Sequence, residues 1–157
     1  MAALKVRIEL LPAMWVAAVV ATGDQPEAEA WRRLRAWAEP RGLWSDFTRH
    51  PVFGFNNPSP RPGTSRYGYE LWLRIDEPAN FGDGVTFKKF EGGWFAVTEC
   101  RAAGEPGITA TWRILWEWVQ RGPYRWRRTQ ELEKSIDPAA PIEGMALELY
   151  LPIEPPA

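Results

Sequence analysis

The sequence predicts an α+β fold made by duplication: two βαββ halves related by a pseudo-twofold axis, with antiparallel sheets, two main helices and a central cleft. Three internal matches in the same order carry this reading. VRIELLPAMWVAAV from Val6 aligns with VTFKKFEGGWFAVT from Val85, so that Val6, Leu11, Trp15 and Ala17 stand opposite Val85, Phe90, Trp94 and Ala96 at a constant offset of 79. WRRLRAW (Trp31 to Trp37) and WRILWEW (Trp112 to Trp118) share W-x-x-L-x-x-W. YELWLRID (Tyr69 to Asp76) and LELYLPIE (Leu147 to Glu154) close the halves. General strand likeness explains the first and third matches but not the helical pair. The 157 residues then read as one domain, with half-repeats over about 4–79 and about 82–155.

Each half is expected to run strand, helix, strand, strand. The first strand (about 5–20) is interrupted at Pro12–Ala13, and its counterpart (about 84–99) at Gly92–Gly93. Proline or glycine inside a strand marks a bulge or bend. The first helix is expected over about 25–39, with Asp24 and Glu27 as a capping box and Pro26 in the first turn. Trp31, Leu34 and Trp37 fall along one helical face and should pack on the sheet. The second helix (about 108–121) repeats this with Trp112, Leu115 and Trp118 and stops at Gly122–Pro123. NNPSPRPGTSR, after Phe55, is a loop dense in turn formers, and Asp137–Gly144 is a second irregular stretch.

Composition narrows the function. Apolar residues are 45% and charged residues 25%, which fits a globular chain. Nineteen basic and twenty acidic side chains give a net charge of −1, without the bulk pull toward phosphate that nucleic-acid binding needs. One cysteine, Cys100, excludes an intrachain disulfide; one histidine, His50, removes the usual zinc and haem ligand sets. No cofactor or metal is expected. The longest apolar run, Leu10–Ala21, is too short to span a membrane. Lys5 and Arg7 before it imitate a secretory signal, but Glu9 interrupts the pattern and the run recurs in the second half. The expected location is cytoplasmic. The unusual count is ten tryptophans, which supply large flat π surfaces.

The closing strands hold the most informative pattern. Tyr69, Leu71, Leu73 and Ile75 alternate with Glu70, Trp72 and Arg74, and Leu147, Leu149, Leu151 and Ile153 alternate with Glu148 and Tyr150. With the aliphatic sets facing the helices, each half displays a carboxylate and an aromatic two residues on. A cleft so lined suits a flat, apolar, often cationic molecule, through cation–π attraction and a partly desolvated counter-charge. The plain alternative is a solvated sheet face. Trp15 and Trp94 occupy matching positions that could line the same cleft, and Asn57 could rim it. Glu131 and Glu133 read as surface acids. No nucleophilic triad or phosphate loop is present.

GFNNPSP (Gly54 to Pro60), YGYELWLRID, GGWFAVTEC (Gly92 to Cys100), the tryptophan helix, LEKSIDP (Leu132 to Pro138) and LELYLPI together resemble the GyrI-like small-molecule-binding domain. This is the AraC-type effector-binding family, related in fold to SOUL proteins, and the resemblance covers Val6 to Ile153. It implies a hydrophobic cleft with an aromatic lining and a buried acid, binding lipophilic and frequently cationic compounds. Some members act as drug-sensing regulators through fused helix-turn-helix regions. A stand-alone subset is similar to enzymes that hydrolyse cyclopropane-bearing DNA-alkylating compounds. The family's cleft acid, in a stretch like LEEHI, carries over onto Glu133, although Lys134 and Ser135 replace its usual neighbours. A stand-alone member with no direct nucleic-acid binding is expected here.

Three functions follow as expectations. The first is a binding module for flat lipophilic or cationic aromatics, serving sensing, sequestration or multidrug binding through Glu70, Trp72, Trp94, Glu133, Glu148, Tyr150, Trp15 and Asn57. The second is a hydrolase using Glu133 as general acid or base, its pKa raised by desolvation. The third is a protein-interaction module such as a gyrase modulator.

Overall fold

The computed structural model of the chain describes residues 4–78 and 84–157. In order the elements are β1 (Arg7–Leu11), β2 (Met14–Gly23), α1 (Pro26–Ala38) with a 3-10 turn at Glu39–Arg41, β3 (Val52–Asn56), β4 (Tyr67–Ile75), β5 (Thr86–Phe90), β6 (Gly93–Arg101), α2 (Ile108–Arg121), β7 (Leu132–Ser135) and β8 (Ala146–Pro152). The class is α+β with antiparallel pairing. No helix among the described residues is long and apolar enough to cross a membrane.

Two compact units make up the chain. The first holds β2, α1, β3, β4 and β5; the second holds β1, β6, α2, β7 and β8. Inside the first unit the strands run β3-β4-β2-β5, and inside the second β7-β8-β6-β1. The two orders are equivalent strand for strand, so the duplication seen in the sequence is a duplication of topology.

The expected bulges are complete breaks. Each leading strand is two strands, and the chain passes from one unit to the other between Ala13 and Met14 and again between Phe90 and Glu91. Pro12 has no amide hydrogen to continue the ladder. Gly92 (φ 77°) has a backbone that other residues rarely adopt, and a Cβ there would collide with the Leu11 carbonyl oxygen and with Pro12. As a result β1 pairs with β6 and β5 with β2: each half lends its leading segment to the other unit's sheet.

In the first unit α1 lies on β2 and β4. Ala30, Leu34, Trp37 and Ala38 pack against Ala17, Val19, Ala21, Leu71, Leu73 and Ile75, all buried. Each fully buried aliphatic side chain contributes about 1.5–3 kcal/mol of transfer free energy. Trp31 is only half-buried and meets Trp44 edge to face, with ring centres 6.1 Å apart. The capping box does not form. The N-cap is Gln25 with no side-chain cap bond, and both acids are engaged by the β3–β4 loop and the start of β4 instead. Asp24 accepts from Ser65 Oγ (2.9 Å) and Glu27 from Tyr67 OH (2.6 Å). Burial and that bond push the Tyr67 phenol up to about 12.

In the second unit α2 buries Thr111, Leu115 and Val119 and packs on β6 and β8. Its matched tryptophans are half-buried, Trp118 stacking on Tyr124 at 5.7 Å, while Trp116 is exposed. Across the two copies the central leucine, Leu34 or Leu115, is fully buried, whereas among the flanking rings only Trp37 is buried.

Candidate functional site

On β4 the residues alternate as expected, with Glu70 and Trp72 on the sheet face opposite α1. The strand register brings Phe53 beside Trp72 and Phe55 beside Glu70 from β3. On β5, Lys88 and Phe90 pair with Val16 and Met14 of β2, which puts them on the same face. Glu70 is 0% exposed. Its Oε1 accepts from Asn57 Nδ2 (2.9 Å), and its Oε2 accepts from Trp72 Nε1 (2.6 Å) and Lys88 Nζ (2.7 Å). The Trp72 ring sits edge to face with Phe55 at 4.9 Å and tilted against Phe90 at 5.3 Å.

Local chain geometry explains this arrangement. Asn57 leaves the end of β3, where its N–H donates to the Gly68 carbonyl (2.8 Å) and Gly68 N–H donates to the Pro58 carbonyl (2.8 Å). A Cβ on Gly68 would occupy the place of the Asn57 carbonyl oxygen, so glycine lets the hairpin close and aims the Asn57 amide at Glu70. A carboxylate removed from water is costly unless it is hydrogen-bonded and paired. Asn57 and Trp72 supply the neutral donors and Lys88 the charge. The Lys88 side chain is 42% exposed, so its ammonium reaches a buried oxygen from the solvent side.

The second unit repeats the frame with different chemistry. Glu148 pairs with Arg7 (2.5 Å) and with Lys134 (3.8 Å). Tyr150, fully buried, donates to Glu9 Oε2 (2.8 Å) and accepts from Arg7 Nη2 (3.3 Å). Burial and the Glu9 bond push its phenol far up. The Arg7 guanidinium, held mainly by Glu148, is shifted upward as well. The two acid–aromatic pairs are thus equivalent in backbone register, yet one acid lies among rings and the other in a charge network.

The remaining candidates lie elsewhere. Glu133 pairs in register with Leu149, so it shares a face with Leu147 and Leu149 and not with Glu148 and Tyr150. Trp112 Nε1 of α2 donates to it at 3.4 Å, which identifies that face as the helix side. Trp15 is half-buried against the α1 core, with Lys89 over its ring at 5.4 Å. Trp94 is half-buried, and its carbonyl accepts from Ile153 N–H (3.0 Å) and Arg127 (3.4 Å). Glu70, Trp72 and Asn57 are brought together, while Trp15 lies on the other face of the same sheet and Glu133 on the helix side of its own unit's sheet. Sequence reasoning missed Lys88, Phe55 and Phe90. The alternation in VTFKKF, which sets Lys88 and Phe90 on one side, was the available signal.

Two grooves open on the second unit. One of about 610 Å³ runs between Leu4–Arg7 and Val97–Glu99; another of about 450 Å³ lies over Glu99–Arg101, the Gly104–Gly107 turn and Thr111. Cys100 lines the latter, and burial pushes its thiol up to about 11. Neither groove has Glu70 in its lining.

Glu70 thus lies on a sheet face that buries a hydrogen-bonded, charge-paired carboxylate among aromatic rings. The family model of the Cass2 integron-associated effector binding proteins matches residues 7–153, and the chain belongs to this GyrI-like effector-binding family. Among solved structures, EcmrR in its DNA-bound transcription complex is similar with a TM-score of 0.70 at 11% identity over 96% of this chain; the chain spans 57% of that one. SAV2435 bound to tetraphenylphosphonium gives 0.62 at 12% identity, over 96% of this chain and 94% of that one. The integron cassette protein VCH_CASS2 from the mobile metagenome of Vibrio cholerae gives 0.55 at 12%, over 95% of each. At such identities the likeness establishes the shared fold. A search of the curated proteins found no match.

Proposed function

We propose that the protein binds lipophilic, cationic aromatic compounds, with Glu70 as the counter-charge and Trp72, Phe55 and Phe90 as the ring surfaces. The observation that carries this reading is Glu70 itself, fully buried yet charge-compensated among rings. An organic cation gains from both features, because its charge meets a carboxylate in a medium less polar than water while its rings meet aromatic faces. The effector-binding family and the tetraphenylphosphonium held by SAV2435 are consistent with this ligand class. Three of the roughly four lone-pair sites on Glu70 already accept hydrogen bonds, which favours holding a charge over moving a proton. Sensing or sequestration follows from such binding, whereas hydrolysis would need a freer carboxylate.

Titration with tetraphenylphosphonium, followed by tryptophan emission and by calorimetry, tests the reading. The expected result is saturable binding that Glu70→Gln weakens by about tenfold or more. Absence of binding, or equal binding by Glu70→Gln, would rule it out.

A further inference from the structure

We propose that Lys88 is a built-in competitor: its ammonium and a cationic ligand contend for Glu70 Oε2, and this exchange selects which compounds bind. The inference rests on Glu70 being the ligand's counter-charge and adds the device that governs access to it.

The three donors on Glu70 differ in how readily each can leave. Asn57 is fixed by its backbone bonds across Gly68, and Trp72 is wedged between Phe55 and Phe90. Both are neutral and stay where they are. Lys88 projects from β5, the outermost strand of its unit's sheet, on a flexible four-carbon stem that is 42% exposed. A lysine ammonium is compact and strongly hydrated, so swinging it into water restores its solvation. Departure of Lys88 alone would strand a buried carboxylate, which is strongly unfavourable. Arrival of a cation at the same oxygen removes that penalty and leaves the site with one positive and one negative charge, as before. A neutral aromatic has no charge with which to release Lys88, so the exchange favours cations.

The other copy of the frame lacks this feature. Arg7 holds Glu148 Oε2 and Lys134 lies 3.8 Å from Oε1, so that carboxylate keeps a cation when either one moves and an incoming ligand relieves no stranded charge. The exchangeable position is the one at Glu70.

Calorimetric titration of the full chain tests this, with tetraphenylphosphonium as cation and triphenylphosphine oxide as neutral ring probe. Lys88→Met keeps most of the stem and removes the charge. It is expected to tighten the phosphonium about tenfold while leaving the neutral probe within about twofold. Lys88→Arg, whose fork grips a carboxylate harder, is expected to weaken the phosphonium about threefold or more. In a Glu70→Gln background, loss of Lys88 should change phosphonium affinity by less than about twofold. Unchanged or weaker phosphonium binding by Lys88→Met, with wild-type binding still dependent on Glu70, overturns the competition and leaves the ligand class standing. Tightening that persists in Glu70→Gln also overturns it, since the effect would not pass through that carboxylate. No phosphonium binding by any variant overturns both. If Lys88→Met does not fold, Lys88→Arg decides, and equal or tighter binding by it refutes the proposal.

Discussion

Glu9 and Lys88 stand at the same register position in the two copies and carry opposite charges. Glu9 pairs with Phe95 of β6 and Lys88 with Val16 of β2, and these partners are themselves equivalent at the 79-residue offset. The reversal separates two chemistries on one frame. Lys88 neutralises Glu70 alone, whereas Glu9 adds a second acid beside Glu148 and so requires Arg7, which pairs with both.

Arg7→Met should therefore destabilise the protein. Removing one member of a buried ion pair costs about 3–5 kcal/mol, but Arg7 is 45% exposed, so solvent screening brings the expected loss to about 1–3 kcal/mol. Glu9→Gln added to Arg7→Met removes one of the two facing acids and should recover part of that loss. Denaturant midpoints of the single and double variants measure both effects. An additive second loss would mean that Glu9 and Glu148 do not feel each other through Arg7.

Cys100 should react slowly with alkylating reagents at pH 8. The thiolate is the nucleophile, and burial together with the charge of Glu133 holds the thiol at about 11, above its ordinary value of 9.0. A pKa of about 11 in place of 9.0 reduces the thiolate fraction at pH 8 about a hundredfold, and the greater nucleophilicity of a more basic thiolate returns part of that, leaving a rate about tenfold below an exposed cysteine. The rate of iodoacetamide labelling should climb with each pH unit and level off only near pH 11. A plateau by pH 9 would contradict the assignment.

The architecture was legible because repetition is stronger evidence than any single strand pattern. Val6 against Val85 and Trp31 against Trp112 fix which elements correspond before secondary structure is considered. Alternation along β4 likewise placed Glu70 and Trp72 on the face away from the helix. What alternation does not carry is the identity of the neighbouring strand. The passage of β5 into the sheet of β2 depends on backbone breaks at Pro12 and Gly92, and without it Lys88 has no reason to meet Glu70. Local propensity misled at Asp24 and Glu27, because Ser65 and Tyr67, distant in sequence, compete for the same acids.

Gly68→Ala is expected to cost more than an ordinary glycine replacement in a strand. Its new Cβ would collide with the Asn57 carbonyl group and with the Pro58 ring, neither of which can rotate away. Forcing Asn57 aside breaks the reciprocal bonds that close the hairpin and withdraws one donor from Glu70. A buried polar group left unsatisfied costs about 1–3 kcal/mol, so stability should fall by about 2–4 kcal/mol in thermal unfolding. Asn57→Ala keeps the backbone and should show only the donor's share, about 1–2 kcal/mol. Equal losses in the two variants would place the whole effect in the side-chain amide and none in the backbone clash.

Glu133 supplies the sharpest contrast between family pattern and local geometry. The LEKSI stretch assigns it as the cleft acid by resemblance, yet its register beside Leu149 and its contact with Trp112 set it on the α2 side of its sheet. At the equivalent position of the first unit stands Gly54, beside Leu71, so this register position is a helix-facing one in both copies. Glu133→Gln should consequently leave tetraphenylphosphonium affinity within about twofold. Glu70→Gln, measured in parallel, should lose about tenfold in affinity. If Glu133→Gln instead matches Glu70→Gln, a single-acid account of recognition fails.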